Sequence, residues 1–276
     1  MRYRRFIIGI IITLLVTPAP LAWARPRHKP TSRVPAAQRA IDQAWTALDG
    51  ELCIAQEDKA IRHFETAYRQ DPVNTAVLLA MSEEYFRRGL LMPHGNKNEV
   101  KARNLFLATG YDYAKKAMKI RETAGAHCWM AANLGEMKHY SNKVQQAAIL
   151  PKVNAHLDWV MEHEMEYRYG MVLRIWLGIA VRAPQKFTKI LGEDPEEIFQ
   201  LLGQMIGKEP RYLENYLIKA EYLWSKGLNN DALRTLELAL TFDCNSYPEL
   251  MAENRFIQKR AKMKWLKYTG QKYPDR

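Results

Sequence analysis

Beyond Pro35, apolar residues recur three and four positions apart along almost the whole chain, as in Val77, Met81 and Tyr85, or Leu213, Leu217, Ala220 and Trp224. This is the period of one face of an α-helix, and no run of strict alternation is long enough to argue a strand. The breaks are short and carry Pro, Gly or Asn. The spacing predicts helices near 36–49, 57–70, 73–89, 99–120, 125–139, 151–168, 171–182, 195–207, 211–226, 230–242 and 248–268. One start is well signed: Asp194 as N-cap, Pro195 in the first turn and Glu197 three residues on make a capping box. The pattern describes an all-α chain of short antiparallel helices.

A longer period overlies the short one. A tetratricopeptide (TPR) unit has about 34 residues in two helices, with small or apolar residues at its positions 20, 24 and 27 and a helix stop near 32. That spacing occurs at Ala60, Phe64, Ala67 and Pro72; at Gly110, Ala114, Ala117 and Glu122; at Ile198, Leu202, Met205 and Pro210; and at Ala232, Leu236, Ala239 and Cys244. Small residues at 20 and 27 let neighbouring helices approach, and the larger one between them fills the gap. Leu78, Ser82 and Tyr85, and again Tyr216, Ala220 and Leu223, fit the first helix of a unit. The middle units are longer than the standard, with extra residues around Met92-Pro93-His94-Gly95 and between Gly178 and Ile198. The expected fold is an α-solenoid of divergent TPR-like hairpins with inserted loops, spanning 36–268 and closed by a C-terminal capping helix.

The 276 residues carry a net charge of +11, which suggests nucleic acid until it is divided along the chain. Residues 1–24 hold +3, 25–33 hold +4 and 255–276 hold +7, so that residues 34–254 carry −3. No basic face for a phosphate backbone is implied, and no nucleic-acid partner is expected. The first segment reads as an export signal: Met1-Arg2-Tyr3-Arg4-Arg5 is a positive start, Phe6 to Val16 is apolar, and Ala22-Trp23-Ala24 offers a small-x-small cleavage pattern. Pro18 and Pro20 interrupt the apolar stretch before the roughly 20 residues that a spanning helix needs. The expected mature chain begins at Arg25 with a basic linker over 25–35 and ends in a basic tail over 269–276. Its first cysteine, Cys53, lies too far along to carry a lipid anchor.

The run Trp129 to Gly135, then Leu150-Pro151-Lys152-Val153, Tyr169-Gly170 leading to Leu177-Gly178 and Ala183-Pro184, Gly192-Glu193-Asp194, Pro248-Glu249 and Glu253-Asn254 resembles the TatT family. TatT proteins are the T component associated with some tripartite ATP-independent periplasmic (TRAP) transporters. The resemblance covers roughly residues 36–268. It implies a periplasmic TPR-like homotrimer that partners the solute-binding P component and helps pass a hydrophobic ligand. The lipoprotein cysteine of some members is missing here, and the family's double-glycine turn has become Gly192-Glu193.

The resemblance also implies which side chains line a concave face. They are Leu79 and Phe86; Met130, Leu134 and Met137; Val172, Ile175 and Ile179; and Leu217 and Trp224, with Glu83, Glu221 and Arg182 as polar exceptions. An extended apolar lining either marks a binding site for a hydrophobic or amphipathic ligand or forms the core of a tightly closed superhelix. In the first case Met130 and Trp224 form the wall, and Arg182 is available to an anionic head group.

No catalytic signature stands out. His156 and His163 lie two helical turns apart among acidic residues, which fits a two-histidine, one-carboxylate metal site only loosely. The zinc-protease spacing would need a histidine where Tyr167 stands. A solvated acidic face with two surface histidines is the expectation, and a non-enzymatic protein without cofactor or metal follows. Cys128, beside Trp129, is expected to be a small buried residue. In the last helix Lys259, Arg260, Lys262, Lys264 and Lys267 surround an apolar stripe; this suits either an anionic membrane surface or, as expected here, a capping helix with a polar exterior.

Overall fold

A helix with one apolar stripe must cover it, and in this protein neighbours along the chain do the covering. The computed structural model describes residues 29–48, 53–137, 143–182 and 194–274. Among them lie α1 (Pro35–Leu48), α2 (Ile54–Gln70), α3 (Thr75–Leu91), α4 (Lys97–Ile120), α5 (Ala124–Met137), α6 (Lys143–His163), α7 (Met171–Arg182), α8 (Pro195–Lys208), α9 (Leu213–Ser225), α10 (Asn229–Leu240) and α11 (Met251–Thr269), with a 3₁₀ turn at Cys244–Ser246. No strand occurs among the described residues, and the fold is all-α. The signal segment 1–24 and the Gly192-Glu193 turn fall outside the described residues.

Each helix from α1 to α6 packs on the next, α7 touches α5, α6, α8 and α9, and α9 packs on α10 and α11. Three apolar cores result. One lies between α1, α2 and α3, a large central one runs from α3 to α9, and a third lies between α9, α10 and α11. The residues at repeat positions 20, 24 and 27 are all buried: Ala60, Phe64, Ala67, Gly110, Ala114, Ala117, Ile198, Leu202, Met205, Ala232, Leu236 and Ala239. Gly110 shows why size matters there. A Cβ at this position would lie 2.5 Å from Asn133 Oδ1 and 2.9 Å from the Ser82 carbonyl oxygen, so α4 is pressed against α3 and α5 at a point where only glycine fits.

Helix ends follow local chemistry. The Asn74 side chain accepts from the N–H groups of Ala76 and Val77 to start α3, and Asn96 does the same with Asn98 and Glu99 for α4. Asp194 caps α8 through the Glu196 N–H, with Pro195 behind it. Gly270, at φ 72°, stops α11 in the left-handed conformation that glycine adopts without strain.

Two expectations need correction. The extra residues after Met92 do not form an inserted loop: only residues 92–96 separate α3 from α4, and the added length goes into the 24 residues of α4. The helix expected over 151–168 starts eight residues earlier, at Lys143, with Pro151 in its interior, and stops at His163. Ile149 and Leu150, just ahead of Pro151, pack on the central core, and this burial opposes the roughly 3 kcal/mol that an internal proline costs. Beyond His163 the chain turns, with Arg168 (φ 46°), Tyr169 (φ 55°) and Gly170 (φ 76°) successively left-handed. For Arg168 and Tyr169 that backbone costs about 1–2 kcal/mol each, and their carbonyls are held by buried donors described next.

Candidate functional site

Most of the side chains that sequence reading assigns to a ligand face come together in the central core. Phe86, Met130, Leu134, Val172, Ile175 and Ile179 are buried in the central core, with Leu79 and Met137 packed at its edge. Leu217 lies in the C-terminal core. Trp224 stacks on Tyr268 of α11, with ring centroids 3.9 Å apart and planes 3° from parallel. The Arg182 side chain lies outside the described residues.

The polar exceptions on that face, Glu83 and Glu221, belong to a clasp of buried charges. Glu83, on α3, has no exposed surface; Arg168 Nη1 donates to its Oε2 at 2.7 Å, and Arg87 Nε lies 3.6 Å from its Oε1. Arg87 Nη2 donates to Glu253 Oε1 of α11 at 3.0 Å, joining residues 166 apart in sequence. Arg174, the lone charge in the apolar run of α7, donates through Nη1 to the Tyr169 carbonyl at 2.7 Å and to Asn215 Oδ1 at 2.9 Å, and through Nη2 to the Arg168 carbonyl at 2.9 Å. Its guanidinium sits 4.7 Å from the centroid of the buried Tyr212 ring.

The next layer ties α9 to α11. Asn254 Oδ1 accepts from the Leu213 N–H at 3.3 Å, and its Nδ2 donates to the Arg211 carbonyl at 2.9 Å. Arg260 Nη1 reaches both carboxylate oxygens of Glu214, at 2.9 and 2.7 Å, and Lys264 Nζ lies 3.0 Å from Glu221 Oε1. Burial pushes the Glu214 carboxyl up, against the pull of Arg260. Burial also works against the charge of Arg87, but the carboxylates of Glu253, Glu84 and Glu57 outweigh it and raise its pKa. Charges this deep are tolerated because each finds a partner, and removing one partner of such a pair is strongly destabilising.

A second polar cluster joins α5 to α6. His127 Nδ1 lies 3.0 Å from His156 Nδ1, and His127 Nε2 lies 3.0 Å from Glu122 Oε1 in the linker after α4. The Trp159 ring is sandwiched between two imidazoles, His127 at 4.3 Å and His163 at 4.2 Å, both nearly parallel to it. Sequence reading puts His156 and His163 together on a solvated face; His163 is exposed, but His156 is half-buried against His127. Burial holds both paired imidazoles below the ordinary histidine range, His156 at about 4. Among the described residues no three His, Cys, Asp or Glu side chains converge as metal ligands. Cys128, next to His127, is fully buried and its thiol is pushed up to about 12 by that burial, which keeps it protonated and unreactive at neutral pH.

His127 and the arginines of the clasp escape the sequence reading. Arg174 is the one that left a signal, since a single charge inside Met171-Val172-Leu173-Arg174-Ile175-Trp176 must be paired if the helix is buried. His127 has its partner 29 residues away, and helical spacing says nothing across that distance. No helix among the described residues is long and apolar enough to cross a membrane. Compared with known protein families and with curated proteins, the chain matches none.

Proposed function

We propose that this protein is a non-enzymatic accessory protein of the cell envelope, an α-solenoid of TPR-like hairpins that resembles the T component of TRAP transporters and docks a periplasmic solute-binding protein. The observation that carries the reading is the fate of the residues behind the resemblance. Glu253 and Asn254 meet Arg87 and the Arg211 and Leu213 backbone, and the Tyr169 carbonyl receives Arg174. Those short motifs therefore have a physical task, closing one end of the helical array onto its middle. In this reading residues 1–24 direct export, the chain is processed after Ala24, and the mature protein assembles as a homotrimer. Native mass spectrometry of the protein from its own host, with cross-linking in the intact envelope, tests this: a trimer mass and cross-links to a solute-binding protein are expected, and a monomer without such a partner overturns it.

A second reading is a scaffold that organises envelope proteins and binds no small molecule. It is favoured by the burial of Phe86, Met130, Ile175, Ile179 and Leu217 within the cores. A fatty-acid-like probe added to delipidated protein separates the two. Binding that is lost in the Leu134→Glu, Ile179→Glu double variant, with helical circular dichroism intact, supports a hydrophobic ligand; unfolding of the same variant supports the scaffold.

A further inference from the structure

We propose that the His127–His156 contact is an acid-sensitive latch that holds α6 against α5 and releases it when both rings carry a proton. The geometry dictates the rule. When both rings are neutral, His127 donates Nε2–H to Glu122 and accepts at Nδ1 from the Nδ1–H of His156, across the 3.0 Å between those nitrogens. One added proton is accommodated, because a single imidazolium still faces a ring with a free lone pair. A second puts an N–H on both facing nitrogens, and the hydrogen bond becomes a like-charge contact.

The groups acting on the pair are few. From the α4–α5 linker Glu122 favours charge on His127, and from α6 His163 opposes it; His127 in turn opposes charge on His156. The charged groups that the helices around α5 bury are engaged elsewhere: Glu83 and Arg87 of α3 and Arg174 of α7 in the clasp, and Arg103 of α4 with Glu136 of α5 at 2.8 Å. Burial depresses both paired histidines, so the unfolded or opened state binds more protons than the closed one below the ordinary pKa of 6.5. The sign follows: closure is fully present above about pH 6.5 and weakens as pH falls towards 4, the His156 value.

The latch matters because of what α6 covers. Val153, Leu157 and Val160 have no exposed surface and belong to the central core, as does Cys128 of α5. Release of α6 bares this apolar face and loosens the turn that carries Arg168 and Tyr169 into the clasp.

Hydrogen–deuterium exchange of the full chain between pH 7 and pH 4, corrected for intrinsic rates, tests the latch. Protection of residues 149–163 is expected to fall by up to roughly tenfold per pH unit between about pH 6.5 and 4, where the opened state holds a proton that the closed one lacks, while α9 and α10 stay protected. His156→Gln keeps a side-chain donor without a titrating ring, and is expected to flatten that dependence. Equal loss of protection in all helices, or no loss in α6, overturns the proposal, and so does a His156→Gln protein with the wild-type pH slope. Should that variant not fold, proton NMR of the wild-type histidines decides: two separated titration steps for His127 and His156 support the latch, and one coincident step overturns it.

Discussion

The α1–α2 hairpin and the charged clasp hold the chain together by opposite means. In the hairpin Ala40, Ala44 and Ala47 meet Ala60, Phe64 and Ala67, neighbours in sequence that pack through small apolar surfaces. The clasp brings α3, α7, α9 and α11 together through arginines and carboxylates, the longest span covering 166 residues. Apolar contact is non-directional, so the hairpin requires only that its small residues share a face. A guanidinium requires acceptors at defined places, so the clasp fixes where the end of the array meets its middle. The cost is visible in Arg168 and Tyr169, whose left-handed backbone turns their carbonyls to Arg174.

The strongest way to break this contrast is Arg87→Met, which takes the guanidinium away from buried Glu253 while Glu83 keeps Arg168. A loss of about 3–5 kcal/mol is expected in urea unfolding, and Glu253→Leu added to it should recover much of the loss. If the single variant is neutral, the clasp is not what closes the array. Overpacking comes next: Gly110→Ala, facing Asn133 and the Ser82 carbonyl, and Ala67→Trp in the hairpin core should each cost about 1–3 kcal/mol in thermal melts. Equal costs at the two sites would show that close helix approach is as demanding in the middle of the array as at its start. Asn74→Ala removes the cap of α3 and the bonds from its Nδ2 to the Thr31 carbonyl and Asp71, for a loss of about 1 kcal/mol. Leu105→Gln, on the outer side of α4 where the leucine is 67% exposed, should change stability by less than about 0.5 kcal/mol; a larger fall would mean that something covers this face.

The ion pair of Arg103 with Glu136 sharpens the same comparison within the central core. Arg103 also donates Nε–H to the Gly89 carbonyl at 3.1 Å, binding α4 to the end of α3 as well as to α5. Arg103 thus places a buried charge where three helices meet.

Much of the architecture was legible in the order of residues. The helices among the described residues follow from apolar period alone, because amphipathicity is a local property that each segment carries with it. Asp194-Pro195 announced a helix start, and the spacing of Ala60, Phe64 and Ala67 announced burial that the structure bears out. The boundaries of α6 were not legible, since Pro151 is a start signal by local rules and becomes an internal residue only through the core contact of Ile149 and Leu150.

Which side chains meet across the array was decided by tertiary structure alone. Nothing near Glu83 in sequence reveals Arg168, nothing near Arg87 reveals Glu253, and nothing near His156 reveals His127. The apolar residues read as a ligand face carry the same pattern whether they face a groove or a neighbouring helix, because the period records only that a face is apolar. The sequence by itself determined the helices and the faces they must hide. The folded chain determined what each face is hidden against, because charge pairing, desolvation and close approach depend on distances that no local pattern encodes.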